Sequence, residues 1–236
     1  MARKRTAKAK RRKPFLRILT KVFLWFFGLT ILWVLAYRFI DPPVTWLMVQ
    51  RGFERKAADK EWKLEKNWLA IDELSSNLKR AAIAGEDANF MTHNGFDFKA
   101  IETAYEKNQA GKNMRGGSTI SQQTAKNVFL WPGRSYIRKG FEAYFTILIE
   151  LLWGKERILE VYLNVIETGD GIYGADAATR FYYGKSAESL TRRQAALLIA
   201  VLPNPRRWSP AKPTKYIYFK QRLILRNMRQ IGDLSI

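Results

Sequence analysis

The residues that could do chemistry fall into three groups. The first is Glu86-Asp87, which follows a run of small residues (Ala81, Ala82, Ile83, Ala84, Gly85) and precedes the single histidine of the chain, His93. Small apolar residues leading into a carboxylate suggest a packed helix that delivers the acid to a cleft. An apolar wall there can tune its proton affinity and let it act as acid or base. Solvated acids at a helix end would look the same on these residues alone. The second group runs from Gly116 to Asn127, Gly-Gly-Ser-Thr-Ile-Ser-Gln-Gln-Thr-Ala-Lys-Asn. Its glycines let a ligand approach the backbone, hydroxyls and amides follow, and a helix N-terminus of this kind suits anions. It is not a phosphate-binding loop by itself, because the Gly-x-x-x-x-Gly-Lys-Ser/Thr spacing is missing. The third group sets Arg134, Arg138 and Lys139 beside Glu142. Cations gathered at a second carboxylate suit a site that handles an anionic leaving group, although a solvated basic helix start accounts for Arg134 taken singly.

The elements that must hold these groups can be read from charge and periodicity. The chain has 236 residues, enough for one sizeable domain and an anchor. Its formal charge of +20 is uneven: residues 1–14 form a basic head with no acid. Such a block suits nucleic acid or an anionic membrane surface, and its neighbour favours the membrane, so no nucleic-acid partner is expected. That neighbour, residues 15–40, contains the uncharged stretch Val22 to Tyr37. A bilayer core needs about 20 apolar residues in a helix. Nothing near Arg38 or Asp41-Pro42-Pro43 resembles a small-residue cleavage site, so the reading is an uncleaved transmembrane helix. The positive-inside rule then keeps the head in the cytoplasm and puts everything after Asp41 outside. The absence of cysteine excludes disulfides and thiolate metal sites without identifying the compartment.

Residues 41–70 read as a membrane-proximal, interfacial helical segment, and residues 71–236 as a mainly α domain. A helix is expected from Asp72 through Leu74, Leu78, Ala81 and Ala82 into Glu86. Asp97 should cap a helix ended by Gly111, and Ser118 or Thr119 should cap the next. Ser135 should cap a long helix reaching Trp153, with Arg138 and Glu142 neighbours on one face. Further helices are expected over Lys155 to Asn164, after the Thr191-x-x-Gln194 capping box up to Pro203, and from Thr214 to Gln230, before Gly232. Strands with period two are scarce. Phe181-Tyr182-Tyr183 reads as core.

The ordered motifs resemble the peptidoglycan glycosyltransferase family, as in the glycosyltransferase domain of class A penicillin-binding proteins. They are Glu86-Asp87-x-x-Phe90-x-x-His93-x-Gly95, then Gly116-Gly117-Ser118-Thr119-Ile120-Ser121-Gln122-Gln123-x-x-Lys126-Asn127, Arg138-Lys139-x-x-Glu142, and Lys155-x-x-Ile158-Leu159-Glu160-x-Tyr162-Leu163-Asn164. Gln194-Ala195-Ala196 to Leu202-Pro203-Asn204-Pro205 looks like the closing block. The match covers about Leu74 to Ile231. Ser121 stands where threonine is commoner, and Thr168 where an aromatic is expected. No transpeptidase module is expected after Ile236, which points to the monofunctional members.

The resemblance implies a lysozyme-like helical fold and the substrate lipid II, polymerised into β-1,4-linked glycan with inversion at C1 and release of lipid diphosphate. It implies Glu86 as the general base and Glu142 as the second catalytic glutamate, holding the cations or the metal in place. Substrate contacts fall to Ser118, Thr119, Gln123, Lys126, Asn127, Arg134, Arg138 and Lys139, with Asp87, His93 and Lys155 as structural support. A divalent cation, Mg or Mn, could help neutralise the diphosphate. No organic cofactor is expected, and no metal ligand is assigned. The expected partners are lipid II, the growing glycan strand, the membrane, and other cell-wall synthesis or division proteins. The expected location is the bacterial inner membrane, with the domain on the periplasmic side. The rival enzyme is a lysozyme-like lytic transglycosylase or glycosidase that cuts glycan. A membrane adaptor or nucleic-acid binder would explain the basic head but leave Glu86 and Glu142 without a role.

Overall fold

A computed structural model describes residues 14–109, 117–231 and 234. The basic head before Pro14, and Gly111, Gly116 and Gly232, lie outside them. The described fold is mainly helical. Helix α1 (Pro14–Phe39) is long and apolar enough from Leu16 to Phe39 to cross a bilayer. Its first half exposes Leu16, Ile18, Leu19, Val22, Leu24 and Trp25. Its second half docks on the domain. Trp33 meets Phe129 and Phe145 edge-on, Thr30 Oγ1 shares a 2.7 Å hydrogen bond with the Tyr144 hydroxyl, and Trp153 donates to the Val34 carbonyl (2.8 Å).

Residues 44–70 are less helical than the sequence suggests. Only α2 (Trp46–Ala57) forms there, capped by Thr45. Asp59 adopts φ 57°, a left-handed turn that ends the helix. The chain then runs extended into β1 (Glu65–Lys66), which pairs in parallel with β3 (Ile172–Tyr173). Strand β3 pairs antiparallel with β2 (Glu167–Gly169), giving the order β1-β3-β2. Helix α3 (Ser76–Glu86) starts later than Asp72, because the Ser75 hydroxyl accepts the Asn77 N–H and sets the first turn. Leu74 is buried in the preceding turn.

The remaining starts follow their caps. Asp97 accepts the Ala100 N–H ahead of α4 (Phe98–Gln109). Thr119, not Ser118, forms a capping box with Gln122 for α5 (Ile120–Phe129). Ser135 caps α6 (Tyr136–Leu152), which is followed by α7 (Lys155–Val165). Helix α8 (Ala175–Tyr183) ends at the left-handed Gly184. Thr191 and Gln194 box α9 (Arg192–Val201), and Thr214 caps α10 (Lys215–Asn227). Phe181 departs from its expected core position: it is 59% exposed under the Lys63 ammonium.

Two packed groups carry the site. Helix α3 lies against α9 and α10, and α5 lies against α6 and α7. Helix α7 is largely enclosed, burying Ile158, Leu159, Val161, Tyr162, Leu163 and Val165. Asn164, at its end, is buried yet satisfied: Oδ1 accepts the Leu69 N–H (3.0 Å), and Nδ2 donates to the carbonyls of Leu69 and Glu160 (both 2.9 Å). Asn164→Leu keeps the branching of the side chain but strands both backbone groups of Leu69. It should lower unfolding free energy by about 2–4 kcal/mol. Denaturant titration of the detergent-solubilised chain checks this, and an unshifted midpoint would refute it.

Candidate active site

Glu86 is the last residue of α3. Gly85 brings it there, since a Cβ at that position would lie 2.7 Å from Ile199 Cγ2, so α3 can close on α9 and α10 only without a side chain. A helix C-terminus is the less favourable end for an anion, and a neighbouring donor offsets this. Gln123 on α5 donates Nε2–H to Glu86 Oε2 at 2.9 Å. Tyr162 of α7 is fully buried nearby. Burial pushes its phenol well above the ordinary range, and the charges of Glu86 and Asp87 push the same way.

Asp87 faces away from any cleft. Its Oδ2 accepts the N–H of Ile120, the first residue of α5 (2.9 Å), where a carboxylate also complements the helix dipole. His93 Nε2 lies 2.9 Å from Asp87 Oδ1. The Gly95 N–H donates to His93 Nδ1 (3.1 Å), so Nδ1 accepts and Nε2 carries the proton to Asp87. Lys155 donates to the His93 carbonyl and to Glu150, both at 2.7 Å. Gly95 has φ 87°, and a Cβ on it would lie 2.7 Å from Thr146 Cγ2, so the loop closes there on a glycine. The Thr119 hydroxyl donates to the Gly95 carbonyl (2.7 Å) and accepts the Gln122 N–H. Thr119 is 2% exposed, so it shapes this loop and does not face solvent as a substrate contact would. Ser118 is exposed beside it.

The cations converge across α5 and α6. Glu142 is buried with both oxygens paired. Arg138 Nη1 reaches Oε2 at 3.1 Å, and Lys139 is bonded to Oε1. Burial lowers the proton affinity of the Lys126 ammonium; attraction to Glu142 opposes this, repulsion from Arg138 and Lys139 adds to it, and Glu86 attracts more weakly. Lys126 thus feels both glutamates. A cavity of about 320 Å³ opens here, lined among others by Lys126, Asn127, Arg134, Arg138 and two residues of α2, Leu47 and Arg51. A second, of about 140 Å³, also holds Lys126 and Asn127 and continues to Gln123, Tyr162 and Glu167. The two cavities share Leu47, Lys126 and Asn127, and Gln123, the partner of Glu86, lines the second; Glu86 itself lines another, of about 170 Å³, against Ile199 and Ile224.

Glu142 does not suit a divalent cation: both its oxygens are in ion pairs, cations surround it, and among the described residues no group of three or more acids or histidines gathers to help. Arg51 and Glu167 border the site without having been singled out by the sequence, and so does Tyr162, which the sequence marked only as a member of the Lys155–Asn164 motif. Arg51 meets Glu167 across 116 positions, and the one local signal was the spacing of Arg51 to Glu54, a helical ion pair.

Residues 55–229 match the family model described as Transglycosylase. A protein of Pseudomonas fluorescens named biosynthetic peptidoglycan transglycosylase is 52% identical over 94% of this chain and 92% of its own length. One of Caulobacter vibrioides with the same name is 53% identical over 87% of each chain. One of Stutzerimonas stutzeri, again so named, is 50% identical over 91% and 88%.

The electrostatics of Lys126 fix a sign. Its folded-state proton affinity is depressed by burial, so the unfolded state binds the proton more tightly. The charged lysine therefore costs stability at neutral pH, and the cost fades as pH rises through its folded pKa toward the ordinary lysine range. Lys126→Gln should raise the unfolding midpoint at pH 7, with the gain shrinking in alkali. Thermal unfolding of the two proteins from pH 7 to 11 checks this. A variant less stable at pH 7 would show that the ion pairing of Lys126 outweighs its burial.

Proposed function

The chain belongs to the transglycosylase family, and from that membership and the cation-lined cleft beside Glu86 we propose that it polymerises lipid II into peptidoglycan glycan strands. The observation that carries this is the convergence of Lys126, Arg134 and Arg138 on one cavity that adjoins the surface holding Gln123, the hydrogen-bond partner of Glu86. Glu142 pairs Arg138 and Lys139, but cations this close still repel one another. They are accounted for when an anion is brought among them.

The reaction that fits has Glu86 take the proton of the acceptor sugar's 4-hydroxyl as its oxygen bonds to C1 of the donor. The C1–oxygen bond to the diphosphate breaks on the opposite face, inverting C1, and the electron pair leaves with the lipid diphosphate. Lys126, Arg134, Arg138 and Lys139 stabilise the charge that grows there. Glu142 keeps Arg138 and Lys139 in place. Ser118 and Asn127 offer polar contacts, and Asp87, His93, Lys155 and Thr119 hold the loop behind Glu86. Cleavage of a sugar–sugar bond releases no diphosphate and leaves the cations without purpose, which counts against the lytic reading.

Helix α1 is read as a single-pass anchor, with the N-terminus in the cytoplasm and the domain on the periplasmic face of the inner membrane. Two features support it. The first half of α1 bares apolar side chains, and α6 adds exposed Tyr136, Ile137, Ile147 and Leu151 on the helix that α1 docks against. Such a continuous apolar surface suits lipid. The growing strand and other cell-wall synthesis or division proteins are the remaining partners of this reading.

Incubation of the purified chain with lipid II tests the reading directly. Glu86→Gln should cut the polymerisation rate about 10²–10⁴-fold with the fold intact; near wild-type turnover would refute the base assignment. Arg138→Gln should lower the maximal rate by on the order of 3 kcal/mol of transition-state stabilisation, by comparison with loss of an oxyanion donor. Full turnover in Arg138→Gln would remove the leaving-group role.

A further inference from the structure

Helix α2 lies largely before residue 55, where the family match begins, yet it forms one wall of the cation-lined cavity. Leu47 and Arg51 both line it, and Arg51 is a fourth cation there beside Lys126, Arg134 and Arg138. Its guanidinium is held on one side. Nη1 donates to Glu54 Oε2 at 2.6 Å, a strong charge-assisted bond. The other side is loosely held. Nη2 reaches Glu167 Oε2 only at 3.4 Å. Nε stands 3.2 Å from Glu167 Oε1, but out of line, so both atoms are buried without a hydrogen bond.

A pair whose task was only to fasten α2 to β2 would gain most from the parallel two-bond fork that arginine and carboxylate readily adopt. This pair aligns the fork's atoms, Nε with Oε1 and Nη2 with Oε2, but completes only one long bond of the two. Leaving a buried guanidinium N–H without a bond is costly, and an anion in the adjoining cavity would satisfy the Nε–H of Arg51 and strengthen its weakly bonded Nη2 side. Helix α2 is firmly placed for this. Arg55 is paired with Asp170, and Arg206 reaches Glu54 at 3.4 Å and Asp170 at 3.8 Å.

We propose that Arg51 binds the substrate's diphosphate, so that the helix following the anchor supplies part of the leaving-group site, and that Glu167 holds the guanidinium when the cavity is free of anion. This rests on the glycosyltransferase reading above. It extends the diphosphate contact from α5 and α6 to a third element that enters the chain directly after the membrane span.

The test is isothermal titration of the full chain in detergent micelles with farnesyl diphosphate and with uncharged farnesol. Arg51→Gln should weaken the diphosphate about 10- to 100-fold, as expected for a charge-assisted bond, and leave farnesol unchanged. Glu167→Gln separates a ligand role from a strut. It breaks the same α2–β2 contact but frees the guanidinium, so it should bind the diphosphate at least as tightly as the wild type. A strut would make the two variants behave alike. If Arg51→Gln does not fold, Glu167→Gln decides: retained or tighter binding supports the role, and weakened binding overturns it. If Lys126→Gln loses the diphosphate while Arg51→Gln keeps it, Arg51 has no such role and the cavity reading stands. If neither substitution alters binding, both fall together.

Discussion

One carboxylate ties the site together. Asp87 accepts the first N–H of α5 and the proton of His93, so it joins the end of the helix that carries Glu86 to the start of the helix that carries Gln123 and Lys126. The bond is charge-assisted and lies at a helix N-terminus, where an anion is favoured. Beside it the 2.9 Å hydrogen bond of Gln123 to Glu86 links the same two helices, and the Asp87 bonds fix the ends between which that contact is made. The rest of the loop serves this junction. Gly95 turns the chain, Thr119 holds the Gly95 carbonyl, and Lys155 holds that of His93. Adjacent acids thus have opposite tasks: Asp87 is immobilised by its bonds, while Glu86 stays half-exposed at the cleft.

The cationic side of the cleft is organised by a second buried acid. Glu142 is 3% exposed and would be costly there unpaired. With Arg138 and Lys139 on its two oxygens it becomes the point about which the cations are arranged. Lys126 is left less well compensated, since burial outweighs the pull of the two glutamates on it. A group kept charged at some expense to folding suits a site built for an anion that arrives with the substrate.

Much of this was legible in the sequence because its causes are local. Ser135, Asp97, Thr214 and the Thr191–Gln194 box start helices where expected, since a cap reads only the next three residues. The Arg138–Glu142 pair follows from helical spacing. The acids and cations of the cleft lie in segments whose residue types announce their chemistry. What was not legible turns on close local choices, very short elements or distant partners. The start of α3 at Ser76, where Asp72 seemed to begin it, is settled by a choice among nearby polar residues. The strands are two or three residues long, too short to show alternation. Thr119 and Ser118 are equally suited to capping on paper, and only the fold shows that Thr119 turns inward to Gly95. Arg51 and Glu167 meet because α2 folds back over β2, which no window of sequence contains.

The docking of α1 has a mechanical consequence. Thr30 lies nine residues before Phe39, about 13 Å down the helix axis, and at that depth it is already bonded to Tyr144 of the domain. Below the Pro42-Pro43 corner there is a packed seam of aromatic rings in place of a free tether. Arg157 closes its upper end on the carbonyls of Tyr37 and Ile40. Helix α1 is therefore joined to the domain by packing and hydrogen bonds as well as by the chain. A bilayer thicker or thinner than the apolar span would be accommodated by tilting the whole molecule, and the height of the cleft above the lipid would change with it. On the proposed anchoring, bilayer thickness becomes a variable that reaches the cleft through this seam.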